Sequence, residues 1–238
     1  NFKLKVDPNS TANIYTILGK LSGKGNMELE LKINSAGDFE MKGDYIIETG
    51  FFDFTAQEVI NKRLDIRQGG TIRWTGNPTT AQINLKAIYS LRASTADLYA
   101  AANRDLGNNP NERIQTEVEM GLSGPLLQPE INLDIFFPAN PAKKEEFQAY
   151  FNDGNNLNTQ ALSLIIQRRF APGSGQSNLA QQLSSVGAST ATDLIFNQFN
   201  NVLSSLNLNF IDFNVRSLSD FSTSIKLFDG RIIINAGI

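Results

Sequence analysis

Asp38, Glu40 and Asp44 come nearest, by type and spacing, to residues that could do chemistry. Paired carboxylates carry glycoside hydrolysis, one donating a proton and the other acting as base or nucleophile. Here the acids alternate along the chain with Lys42 among them, a spacing that on a strand places all four on one face. The same pattern serves a solvated strand face, which is the reading adopted. Gly69-Gly70-Thr71 has neither phosphate-loop spacing nor a following lysine, so it reads as a hairpin turn. Arg168-Arg169 closes a helical pattern, where it complements the helix dipole or contacts a phosphate. The chain has no histidine, and with it go the commonest general base and the commonest metal ligand. It has no cysteine, hence no disulfide framework and no thiolate metal site. No catalytic residue, metal site or cofactor is assigned, and the expectation is that the protein is not an enzyme.

The 238 residues are enough for one large β domain or two small ones. Lys plus Arg number 21 against 24 Asp plus Glu, a net charge of −3 that offers no electrostatic reason to expect nucleic acid. No apolar run approaches the roughly 20 residues of a membrane-spanning helix, and no signal peptide is read. The first and last residues fall inside strand patterns, so the expectation is a fragment whose ends, and an inner-membrane anchor, lie outside this sequence.

What must position these residues is a sheet. Phe39, Met41, Tyr45 and Ile47 alternate with polar residues, a turn is expected at Thr49-Gly50, and Phe51 to Phe54 follow. Leu64 to Ile66 lead through Gly69-Gly70 to Thr71-Ile72-Arg73-Trp74. Phe2 to Val6, Ile14 to Ile17 and Leu21 to Ile33 read as earlier strands, with Gly23 and Gly25 marking a bulge or a close backbone approach. Ala81 to Leu91, Ile114 to Leu122 and Ile131 to Phe137 read as later ones, with a loop and short helix near Ala96 to Ala102. Pro141 opens helical spacing at Phe147, Tyr150 and Phe151, and a second stripe runs Leu157, Ala161, Leu164, Ile165. A third places Ile195, Phe199, Val202, Leu203 and Leu206 on one face. Strands return at Ile211 to Val215, Ile225 to Leu227 and Ile232 to Ile238, with Asp229-Gly230 as a hairpin signal.

These segments, in this order, resemble the C-terminal domain of TamB, of the translocation and assembly module and the AsmA-like, bridge-like lipid transfer proteins. Gly37-Asp38-Phe39-x-Met41-x-Gly43-Asp44-Tyr45, with Gly50 and Phe52-x-Phe54, is similar to a glycine-aromatic strand signature of that family. Gly69-Gly70-Thr71-Ile72-x-Trp74-x-Gly76-x-Pro78 and Ala81-x-Ile83-x-Leu85-x-Ala87-x-Tyr89 resemble a second block. Leu122-x-Gly124, Pro129-x-Ile131 and Asp134-Ile135-x-x-Pro138 resemble a third, and the closing Leu227-Phe228-Asp229-Gly230-Arg231 also fits. The resemblance implies a periplasmic location at the outer membrane and a taco-shaped sheet with an apolar concave face. It also implies docking on TamA or a related barrel insertase, and a part in phospholipid passage or barrel assembly.

The expected architecture is all-β. An extended, mainly antiparallel sheet curved into a groove covers residues 1–138, a helical insertion 139–206, and terminal strands 207–238 complete the sheet or pair with a partner. The apolar face of Phe39, Met41, Tyr45, Ile47, Ile72, Trp74, Ile83, Leu85 and Tyr89, with Val118, Leu133 and Ile135, is either an ordinary core or a lipid groove. Burying a methylene gains about 0.8 kcal/mol in either setting, so the sequence leaves both open. Ile195, Phe199, Leu203, Ile232, Ile234 and Ile238 are the candidate partner contacts. The expected function is a non-enzymatic module that conducts phospholipid, assists assembly of outer-membrane barrels, or both. The alternatives are a carbohydrate-active β-solenoid enzyme, with the three acids converging in a cleft, and a structural or adhesin passenger.

Overall fold

The structure is a computed structural model that describes residues 2–16, 18–33, 39–56, 60–105, 112–127, 129–172, 224–227 and 232–235. Strands dominate it, mainly antiparallel, with helices late in the chain. The chain divides into two compact units, the first comprising residues 1–87, 121–132 and 208–238 and the second 88–120 and 133–207.

In the first unit, strands β1 (Phe2–Val6) and β2 (Thr11–Thr16) lie end to end along one side of β3 (Gly19–Ile33). Asp7 makes the turn between them, its Oδ1 accepting from Asn9 N at 2.7 Å and its carbonyl from Ser10 N at 2.9 Å. On the other side of β3 runs β4 (Phe39–Ala56), an unbroken strand of 18 residues. The turn expected at Thr49-Gly50 is therefore absent, because Gly50 serves a different need. It stands opposite Gly23, where a Cβ would lie 2.5 Å from the Ser22 carbonyl oxygen. Close backbone approach, not chain reversal, calls for the glycine. The register slips once, between Lys24 and Gly25, which is the bulge the glycines announced.

The far side of β4 is shared by β5 (Ile60–Ile66) and β6 (Gly70–Gly76), and β6 pairs onward with β7 (Gln82–Ser94). β5 and β6 both run antiparallel to β4 and follow one another along it in the same direction, so the hairpin expected at Gly69-Gly70 is absent. Gly69, at φ 90°, instead makes a kink between them in a backbone region that glycine enters without strain, its N–H on the Ile47 carbonyl at 2.9 Å. Strand β11 (Ile232–Asn235) pairs with β2 on one side and with β10 (Ser224–Leu227) on the other. Of the segment expected to complete the sheet or pair with a partner, Ile232 to Ile234 thus have a strand of this same chain on each side.

The second unit holds the later part of β7, the short helix α1 (Ala96–Ala101), the first part of β8 (Arg113–Pro125) and most of β9 (Glu130–Phe136). Helices α2 (Ala142–Glu146), α3 (Gln148–Phe151) and α4 (Gly154–Gln167) follow, inside the stretch expected to be helical. Asp153 caps α4, accepting from Asn155 N at 2.9 Å, and Arg168 ends it in the left-handed conformation with its N–H on the Leu164 carbonyl. The core here is aromatic, with Tyr99 edge-on to Phe147 at 4.9 Å and Phe137 beside Phe170. Gln160 ties the segment after α4 back to the helix, its Oε1 accepting from Ala171 N at 2.8 Å and its Nε2 donating to the Ala171 carbonyl at 3.0 Å.

Candidate functional site: the apolar sheet face and its polar reverse

Alternation on five neighbouring strands puts one row of side chains in register across the first unit. Val6 faces Met27, Met27 faces Tyr45, Tyr45 faces Ile72 and Ile72 faces Ile83. All five are buried. The next row runs Leu4, Leu29, Gly43, Trp74, so the indole stands opposite a residue with no side chain. Met41, Ile47 and Leu85 extend the same buried face, and Gly70 brings the backbone up to Leu85. Of the groove candidates in this unit, only Phe39, at the start of β4, is partly exposed. Leu21, Phe52, Phe54 and Leu64 are buried as well, though sequence reasoning did not select them as candidates. Their alternation was the available signal.

Tyr89, Val118, Leu133 and Ile135 belong to the second unit, where all four are buried. The structure thus divides the twelve groove candidates, eight in one unit and four in the other. Of the partner-contact candidates, Ile232 and Ile234 lie on β11, while Ile195, Phe199, Leu203 and Ile238 fall outside the described residues. The strand expected at Ile211 to Val215 and the Asp229-Gly230 hairpin also fall outside them.

The reverse of the first unit's sheet is a lattice of ion pairs. Arg73 grips Asp44 with both arms, at 2.7 and 3.2 Å, and Arg63 grips Asp53 at 2.8 and 3.2 Å while lying over the Phe51 ring. Lys5 pairs with Glu28 at 3.2 Å, and Glu40 sits between Lys32 and Lys42. Two of the three acids considered for catalysis are therefore matched by cations on an open face, and Asp38 lies outside the described residues. Glu40 and Asp44 are four residues apart on one strand, roughly 13 Å, which is wider than the ~5–9.5 Å that glycoside hydrolysis uses. Among the described residues no three carboxylates, histidines or cysteines gather as a metal site would require.

Two buried polar atoms on the apolar face have no hydrogen-bond partner among the described residues, the Tyr45 hydroxyl and the Trp74 Nε1. Burial pushes the Tyr45 phenol well up from its ordinary value, which favours the neutral hydroxyl. In the second unit, by contrast, polar groups are satisfied together. Lys143 Nζ donates to the Tyr99 hydroxyl and, at 3.0 Å, to Glu146, while that hydroxyl donates to the other Glu146 oxygen at 2.5 Å. Burial works against both charges, but the hydrogen bonds outweigh it, holding Lys143 above and Glu146 below their usual ranges.

The architecture, the alternating apolar rows and their glycines can be compared with known families. The family model described as TamB C-terminal domain matches residues 1–226. The chain belongs to the TamB C-terminal domain family. Membership ties it to the translocation and assembly module and associates it with the bacterial envelope and outer membrane, where the family's partner is TamA. Neither the curated proteins nor the solved structures contain a match to it.

Proposed function

We propose that this chain is a non-enzymatic periplasmic module that takes up acyl chains of phospholipid on its apolar sheet face, on their way to the outer membrane, beside TamA or a related barrel insertase. The observation that supports this is the uncharged row Val6–Met27–Tyr45–Ile72–Ile83, which crosses five strands in register, backed by an ion-paired outer face. An apolar face of this width lowers the cost of taking hydrocarbon out of water, and the reverse keeps the sheet soluble. Because the row is buried, an acyl chain reaches it only by displacing atoms of the protein itself. In this reading residues 1–138 supply the sheet, 139–206 an insertion, and 207–238 strands that complete the sheet or meet a partner.

A second reading, assistance to barrel assembly, is favoured by the end of the sheet. Strand β10 pairs only with β11 among the described residues, and a strand edge is a template for another strand.

Photoreactive residues replacing Phe39, Trp74, Leu85 and Tyr89, one at a time in envelope-bearing cells, test the first reading. Phospholipid adducts from these positions and none from Glu40 or Lys42 are expected. Adducts confined to this chain's own residues would make the face an ordinary core and leave assembly assistance as the function.

A further inference from the structure

Irregularities on neighbouring strands of the first unit's sheet fall on one line. The chain turns from β1 to β2 between Val6, opposite Met27, and Thr11, opposite Lys24. On β3 and β4 the register slips at the same level. Lys24 faces Thr49 and Gly25 faces Ile47, so Glu48 is an extra residue with no counterpart on β3. Beyond β4, the pairing of β5 ends at Asp65, opposite Phe51, and that of β6 begins at Gly70, opposite Ile47. Regular pairing resumes on both sides of this crease. Strand β7 crosses it unbroken, Asn84 facing Thr71 and the Lys86 carbonyl accepting from Arg67 N at 2.9 Å.

Little braces the crease. On the buried side Gly23 faces Gly50, so no side chain bridges β3 and β4 there. The Tyr45 hydroxyl lies 2.8 Å from where a Gly23 Cβ would stand, yet it has no hydrogen-bond partner among the described residues and ties nothing across. On the outer side Asn26 Nδ2 donates to Glu48 at 2.6 Å, an exposed bond that water can replace. A lone bulge is held by intact ladders beside it, whereas aligned breaks leave a line of low local stability. We propose that this crease is a hinge, about which the part of the sheet holding β1 and β6 and the part holding β2 and β5 pivot, uncovering the Tyr45 row to an acyl chain. This rests on the reading of the apolar face as a lipid-bearing surface, and it supplies the displacement that a buried row requires. Only Ile47, between Gly25 and Gly70, separates that row from the crease.

The chain has no cysteine, so nitroxide labels go only where a cysteine is introduced. Asn61→Cys with Thr75→Cys puts exposed labels on β5 and β6, one on each side of the crease. Glu30→Cys with Asn84→Cys puts both labels on the β6 side, as a control. Electron–electron double resonance reads both distances in the 238-residue chain, with and without dioleoyl phosphatidylcholine vesicles. Mass spectrometry of the chain separated from the vesicles reads retained lipid. The Asn61–Thr75 distribution is expected to be broader than the control and to shift with lipid while the control stays. A pivot of about 30° on arms of roughly seven residues, from a strand the bulge already bends, gives a shift of about 5 Å. Deleting Glu48 removes the extra residue and preserves the alternation on either side, because Thr49 is exposed too. That deletion should narrow the distribution and abolish the shift. Lipid retained with the Asn61–Thr75 distance unchanged, or both pairs broadened alike, would overturn the hinge and leave the lipid-bearing face standing. A broad Asn61–Thr75 distribution that narrows on deletion of Glu48, with no lipid retained, would support the pivot and overturn the lipid reading.

Discussion

Gly50 of β4 stands opposite Gly23 of β3, and the two backbones approach so closely that a Cβ on Gly50 would lie 2.9 Å from Gly23 Cα. The clash would be with backbone, which cannot rotate away as a side chain end can. Gly50→Ala is therefore expected to lower stability by about 2–3 kcal/mol, in the range of overpacked cores. Gly121, on β8, has only ordinary contacts, the nearest at 3.6 Å to Asn132. Gly121→Ala should be neutral or slightly stabilising, since alanine loses less chain entropy than glycine on folding. Urea unfolding of the two variants checks the contrast. Equal effects would refute the close-approach account.

Tyr45→Phe makes a separate prediction for the protein without lipid. Removing an unpaired buried hydroxyl should raise stability by about 1 kcal/mol at neutral pH, because its desolvation cost disappears and no bond is lost. The advantage should widen in alkali. The Tyr45 pKa is raised in the folded state, so its contribution is intact below the unfolded value of about 10 and declines as pH rises beyond it. Urea midpoints at neutral pH and near pH 11, compared between wild type and variant, measure both effects. A destabilised Tyr45→Phe protein at neutral pH would mean that the hydroxyl has a partner.

The Tyr99, Lys143 and Glu146 cluster should stabilise the contact between α1 and α2 within a bounded pH window. Glu146 is depressed, so its contribution is present above the unfolded carboxylate value of about 4.3 and fades as pH falls below it. Lys143 is raised, so its contribution is present below about 10.4 and fades as pH rises through its folded value. Glu146→Gln is expected to cost about 1–2 kcal/mol at neutral pH. That difference should shrink in acid, where the wild-type carboxylate is also neutral. Hydrogen exchange of the α2 amides reads it, and a pH-independent difference would count against the ion-paired description.

Much of the strand order was legible because alternation is a local signal. β3, β6, β7 and β9 follow the apolar positions read from the sequence, and α1 falls where a short helix was expected. The break at Thr49-Gly50 was misread because a glycine required by a neighbouring strand looks, in one dimension, like a glycine required by a turn. The placement of β11 was hidden for a related reason: Asp229-Gly230 signals one neighbour, β10, while the other, β2, lies near the opposite end of the chain. The apolar character of Tyr45 and Trp74 could be read, but their lack of acceptors depends on what surrounds them. Of the Tyr99 cluster, only the Lys143–Glu146 pair, three residues apart on α2, had a local signal; the hydrogen bonds to Tyr99 join residues 44 and 47 positions apart.

The outer edge of β1 is where charge, not pairing, guards the sheet. β1 pairs with β3 alone among the described residues, and its outward-facing positions carry Lys3 and Lys5, the latter bound to Glu28 at 3.2 Å. A lysine on a strand edge opposes docking of a second strand, because its charge would have to be buried or repelled. Lys3→Val with Lys5→Val leaves the inward residues Leu4 and Val6 untouched and should change fold stability by only about 0.5 kcal/mol. It should nevertheless increase self-association, seen in sedimentation velocity as a mass that climbs with protein concentration more steeply than for the wild type. Lys3→Glu with Lys5→Glu, which keeps the edge charged, should not. If the valine variant sediments like the wild type, that edge is closed by something other than its lysines.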